Sequence, residues 1–210
     1  MKPFPPPSPP SNAGFSLLEI LISIVIIALG LLGLAGMQVR MQQAEFESYQ
    51  RSQALVLLYD MVERIQAHRI AARNCFAFTT NTTDGTPYVG TGATAAGGCA
   101  SGGTAADNTM ANNSIAEWDG LLDGAAETSG GAAVGAMVGA RGCVNYDAAS
   151  EFAAQPGTGI YTVMVAWQGQ AQTAAPTNAD GTTIHCADNL YGLETQRRVV
   201  STSFRLAQLD

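Results

Sequence analysis

Residues 15–37, FSLLEILISIVIIALGLLGLAGM, are 23 consecutive residues with one charged side chain, Glu19. As a helix rising 1.5 Å per residue, the run covers about 34 Å, enough to cross the hydrocarbon of a bilayer. A secretory signal peptide has a shorter apolar part, several basic residues ahead of it and a small-x-small cleavage site. Here the nearby candidate, Leu34-Ala35-Gly36, fits that pattern poorly. An ordinary membrane anchor accounts for the length but not for Glu19. A carboxylate in lipid costs about 2.5–3.5 kcal/mol on insertion scales, so it needs a partner, a task or a position where it can snorkel to the interface.

The residues at the head of the run narrow these alternatives. Gly14-Phe15-Ser16-Leu17-Leu18-Glu19 resembles the prepilin peptidase site of type IV pilins and their relatives. The resemblance implies cleavage after Gly14, N-methylation of Phe15, and a role for Glu19, fifth residue of the mature chain, in setting the register between subunits. The chain departs from the family in two ways. Residues 1–14, the expected leader, carry one basic residue, Lys2, and six of the nine prolines. The apolar run also lacks the helix-breaking proline of major pilins, and Gly30, Gly33 and Gly36 are its soft positions, each costing about 1 kcal/mol relative to Ala.

Residues 38–73 contain neither glycine nor proline and are rich in Gln, Ala, Glu, Leu, Met and Arg. They read as the amphipathic continuation of the helix, with Leu55, Leu58, Val62 and Ile65 on one face. One helix of about 55–60 residues is expected, its first half in membrane and its second carrying the head, as in the lollipop shape of pilins. The head, residues 74–210, has 12 acidic and four basic residues. That balance argues against broad nucleic-acid binding, which needs Lys and Arg facing phosphates.

Within the head, residues 81–106 are rich in Gly, Thr and Ala and read as loop. Ser114-Ile115-Ala116-Glu117 matches a capping box, which predicts a short helix over about 115–122 burying Trp118, Leu121 and Leu122. Three strands are expected, at 142–146, 160–167 and 199–206. In the second, Tyr161, Val163, Val165 and Trp167 share a face, and in the third Val200, Thr202, Phe204 and Leu206 do. The expected fold class is α+β, with a small antiparallel sheet packing one face on the helix stripe. Arg141-Gly142-Cys143, Ala166-Trp167-Gln168-Gly169, Cys186 and Arg197-Arg198-Val199-Val200 further resemble the PilV group of minor pilins, the type IV pilus modification proteins.

Cys75, Cys99, Cys143 and Cys186 form no Cys-x-x-Cys pair, and the chain has two histidines, so a zinc site has little to work with. Because a membrane segment precedes all four, two disulfides in an oxidising compartment are a better reading than four buried thiols. Of three possible pairings, Cys75–Cys99 and Cys143–Cys186 are expected, the first closing the loop after the helix and the second tying strand-side segments.

A search for chemistry finds no nucleophile elbow, P-loop, dinucleotide fingerprint or His-Glu-x-x-His. His185 beside Cys186 is poorly placed for a dyad, Asn178-Ala179-Asp180-Gly181 reads as a turn, and Arg197-Arg198 reads as a solvated strand entrance. No catalysis, cofactor or metal is expected. The resemblance implies a minor pilin, a structural and assembly subunit of a type IV pilus that supports pilus biogenesis, twitching motility and adhesion. Its implied partners are other minor and major pilins, the prepilin peptidase and the inner membrane, with the head in the periplasm. A minor pseudopilin of a type II secretion system and a tip adhesin are the alternatives.

Overall fold

The computed structural model describes residues 14–94, 99, 103–126, 128–133, 137–153 and 155–207. The expected leader, apart from Gly14, lies outside them. In chain order the elements are α1 (Leu17–Ala67), α2 (Ala72–Cys75), β1 (Val89–Gly90), α3 (Ala105–Leu122), β2 (Thr128–Ser129), β3 (Ala132–Ala133), β4 (Arg141–Asp147), β5 (Ile160–Gln168) and β6 (Arg197–Arg205). The chain divides into two compact units, residues 1–45 and 46–210.

In the first unit α1 presents its apolar run with every large side chain from Phe15 to Met41 exposed. Among the described residues, α1 is the helix long and apolar enough to cross a membrane. Gly30, Gly33 and Gly36 lie inside it without interrupting it.

The second unit is built on an antiparallel sheet of order β1-β4-β5-β6. Val144 opposes Val163, and Val163 opposes Thr202, which sets the register across the three long strands. β2 and β3 form a separate two-stranded hairpin. One sheet face carries Val144, Tyr161, Val163, Val165 and Trp167, and packs in one core with α1 and α3. The alternation expected for β5 and β6 is what places these side chains inward. β1 was absent from the expectation. Two residues carry no detectable period, and its pairing to Gly142 and Arg141 of β4 makes it a strand.

The helix stripe differs from the expected one. The buried residues of α1 in this unit are Gln50, Ala54, Leu58, Met61 and Ile65. Leu55 is exposed and Val62 half-buried. Ala54 and Met61 displace them because the main stripe follows i, i+4, i+7, i+11 from Ala54, and the small alanine allows close approach. α1 also stops at Ala67, six residues before the expected end. Nothing local breaks it. Turning there buries Ala71, Ala72, Cys75 and Phe76, and His68 stacks on Phe76 with ring centroids 5.8 Å apart. Tertiary burial overrides propensity.

The helix of the head begins ten residues earlier than expected. Thr104, not Ser114, is its N-cap: the Thr104 Oγ1 accepts from Asp107 N at 3.2 Å, and Thr104 N donates to Asp107 Oδ2 at 2.9 Å. Asp107 serves where the expected pattern wants Glu or Gln. Ser114 lies mid-helix, and its hydroxyl and carbonyl accept from Arg64 Nη1 at 3.1 Å, while Glu117 pairs with the same atom at 2.9 Å. The residues read as a local cap are a tertiary clamp from α3 to α1. Trp118 and Leu122 are fully buried, and Leu121 is half-buried.

Cys75 joins Cys99 and Cys143 joins Cys186, closing segments of 24 and 43 residues. The chain-entropy account gives roughly 3.5–4 kcal/mol for loops of these lengths. The second disulfide belongs to a smaller core on the opposite sheet face, formed by Tyr88, Met164, Ala166, Ile184, Ala187 and Tyr191. From the sequence, one sheet face is expected on the helix stripe and nothing is assigned to the other. It is covered because residues 176–193 fold back across it.

A chain beginning between Gln38 and Glu45 is expected to be soluble and folded, since residues 46–210 are the compact unit and retain the buried α1 residues. Deletion through Arg73 removes Leu58, Met61 and Ile65 from the core and should cause aggregation. Size-exclusion chromatography and circular dichroism of the two truncations decide this. Equal behaviour would remove α1 from the folding core.

Candidate processing and assembly site

Ser16 begins the helix. Its Oγ accepts from Leu18 N at 3.3 Å, and its carbonyl accepts from Glu19 N at 3.0 Å and Ile20 N at 3.3 Å. Serine favours this position because its oxygen satisfies one of the free N–H groups at the helix start. Gly14 and Phe15 therefore lie ahead of the first helical turn. Both are exposed, and nothing packs where a Gly14 side chain would be. A peptide bond outside the helix and open to solvent is what a peptidase requires.

Glu19 stands in the first turn of α1, where a negative charge is favoured by the helix dipole. It makes no side-chain hydrogen bond or ion pair among the described residues. Its backbone is engaged: the N–H donates to the Ser16 carbonyl at 3.0 Å, and the carbonyl accepts from Ser23 Oγ at 2.7 Å. The Ser16 cap is absent from the sequence analysis, although Ser16-x-x-Glu19 carries the same capping pattern as Ser114-x-x-Glu117.

The other candidates of the sequence are structural in this fold. Arg197 is a correction: it is fully buried, not a solvated strand entrance. Its Nε donates to Glu194 Oε2 at 2.7 Å, its Nη1 to the carbonyls of Ile184 at 2.6 Å and Cys186 at 3.0 Å, and its Nη2 pairs with Asp188 at 3.4 Å. Such a planar fork suits several acceptors at once. Arg198 donates to the Ala171 carbonyl at 2.6 Å and pairs with Glu47 at 3.4 Å. Glu47 also receives the N–H groups of Gln170 and Ala171, which fastens the loop after β5 to α1. No local signal marks Glu47, since its partners lie over 120 residues away.

Cys186 is in a disulfide, and His185 Nδ1 lies 3.0 Å from Asp188 Oδ2. Asn178–Thr182 is a turn held by Asp180, which accepts from Thr182 N at 2.9 Å. Trp118 donates its indole N–H to the Leu57 carbonyl at 2.9 Å, and Trp167 lies in the main core. Among the described residues no group of three or more His, Cys, Asp and Glu side chains could hold a metal.

Two family descriptions match the chain. "Prokaryotic N-terminal methylation motif" covers residues 9–35, and "Type IV pilin Tt1218" covers residues 36–119. No curated protein and no solved structure matches it. The first match spans Gly14, Phe15, Glu19 and most of the apolar run, and the second continues through the buried face of α1 to Trp118 in α3. The long apolar helix and small four-stranded antiparallel sheet are the α+β fold of type IV pilins, and on these matches the chain is a type IV pilin, one of a family of structural rather than catalytic proteins.

Proposed function

We propose that this pilin is a minor one, of the PilV kind, acting in a priming or tip complex of a type IV pilus. In this proposal residues 1–14 are a leader removed by the prepilin peptidase, Phe15 is N-methylated, residues 15–37 hold the chain in the inner membrane as a single span, and the disulfide-bonded head lies in the periplasm. Biogenesis of the pilus, twitching motility and adhesion follow from assembly with major and minor pilins. The observation that carries the reading is a Glu19 whose side chain has no partner among the described residues, in an apolar, wholly exposed helical surface directly behind an accessible Gly14–Phe15 bond. The type IV pilin match over residues 36–119, beyond the N-terminal motif, supports a pilus over the secretion-system alternative.

Processing is read by intact-mass analysis of the membrane form. The expected product begins at N-methyl-Phe15. A product beginning near Met37 would instead establish a signal peptide.

The assembly role rests on Glu19. A carboxylate in lipid needs a partner, and the Phe15 amine of a neighbouring subunit can meet it without straining either helix. Glu19→Ala is expected to be cleaved and inserted normally but to fall several-fold in recovery with partner pilins and sheared pili. Glu19→Asp should lie between. Recovery of Glu19→Ala at the wild-type level would show that Glu19 satisfies only its own terminus.

A further inference from the structure

The sheet face opposite the helices is only partly covered. The Cys143–Cys186 core occupies one end of it. Beside that core Asn145 of β4, Thr162 of β5 and Ser203 of β6 are direct cross-strand neighbours. They form one polar row across three strands, the floor of a groove of about 300 Å³. Thr82, Asn178 and Thr183 also line it.

The groove carries unused hydrogen-bonding capacity. Asn145 Oδ1 is buried and has no hydrogen-bond partner among the described residues, although an amide oxygen can accept two hydrogen bonds. Thr162 Oγ1 and Ser203 Oγ are 2.8 Å apart. Two hydroxyls sharing one such bond retain one O–H for another acceptor. Asn178 spends its amide nitrogen on Thr182 Oγ1 at 2.9 Å, which leaves its oxygen as an acceptor. Donors and acceptors therefore alternate along a concave surface without a formal charge. Among the described residues lining it, His185 is the sole titratable side chain, and its ring is engaged by Asp188.

The walls are fixed before any ligand arrives. Cys186, tied to Cys143 of β4, lines the groove. Gly85 approaches the His185 backbone so closely that a Cβ would collide with the His185 carbonyl, and its φ of +67° also requires glycine. Preorganised walls reduce the ordering cost of binding.

We infer that this groove binds a neutral oligosaccharide. An anionic ligand would find no cation among these lining residues, and a lipid would find Met164 and Ile184 but mostly polar wall. Sugar hydroxyls, each both donor and acceptor, match the row of amide and hydroxyl groups. A buried acceptor without a partner is costly; rotation of the half-buried Asn145 amide toward the groove would let a sugar O–H reach Oδ1 and remove that cost.

The test uses the full chain in a zwitterionic detergent without a sugar headgroup. It is applied to an array of neutral, sialylated and sulfated oligosaccharides, and the strongest neutral binder is then titrated calorimetrically. Asn145→Ala and Thr162→Val are each expected to weaken binding by up to about tenfold, the effect of one lost hydrogen bond. Circular dichroism and a free-thiol assay verify folding, and Ser203→Ala is read in place of a variant that misfolds. An array without a neutral binder, a preference for charged glycans, or affinity indifferent to all three substitutions overturns the inference. These outcomes leave the pilin assignment intact, because processing and co-assembly test that separately.

Discussion

Arg197→Ala should destabilise the head by about 3–5 kcal/mol, the cost of breaking a buried ion pair from one side. Arg197 is fully enclosed and holds Glu194, Asp188 and the carbonyls of Ile184 and Cys186 together. Removing the guanidinium strands these acceptors and two carboxylates around a cavity. Arg197→Lys should recover only part of the loss, because one ammonium cannot reach a fork of acceptors. Urea unfolding followed by tryptophan fluorescence gives the difference, and a loss below about 1 kcal/mol would show that the cluster rearranges. Acid should weaken the same cluster. Burial pushes the Asp188 carboxyl up, but hydrogen bonds with His185 and Glu194 and the Arg197 charge hold it below the ordinary aspartate value. A lowered carboxylate contributes stability above its ordinary value and loses it as pH falls through the lowered one. The Arg197→Ala chain should therefore show a shallower acid loss than the wild type.

The second large effect concerns Trp118 and Gly142. Trp118 is fully buried, and its indole N–H donates to Leu57 O. Trp118→Ala should cost about 3–5 kcal/mol, the range for emptying a large aromatic site. Gly142 in β4 is the complementary half of that contact. A Cβ there would meet the Trp118 ring and lie 2.8 Å from Leu122 Cδ1, so Gly142→Ala should cost about 1–3 kcal/mol through overpacking. The pair should be non-additive. With the indole gone, the methyl of Gly142→Ala enters the space it left, and the double variant should be less destabilised than the sum. Strict additivity would remove the ring as the reason for glycine at 142.

Gly142 shows how unevenly the sequence discloses this fold. The strand around it was legible, because Ile160–Gln168 and Arg197–Arg205 alternate and β4 pairs with the first of them. The need for glycine was not, since its reason is a tryptophan 24 residues earlier on α3. Ser114 and Glu117 failed in the opposite direction: a valid local pattern was read as a cap because the guanidinium that claims both side chains comes from α1. Arg197 carries no burial signal at all. A strand-end arginine reads as solvated unless residues 176–193 are known to fold over it.

What the sequence determined by itself is the N-terminal methylation motif. The motif and an apolar run long enough to cross a membrane are written in adjacent residues, and their physics, helix rise, apolar length and one carboxylate, acts over a single helix. The alternating strands and the α+β class were equally local. Tertiary structure alone decided where α1 ends, which of its residues face the core, which threonine caps α3, and that the second sheet face is half core and half polar groove. Each of those outcomes depends on burial against segments distant in the chain, and burial outweighs the few tenths of a kcal/mol by which local propensities differ.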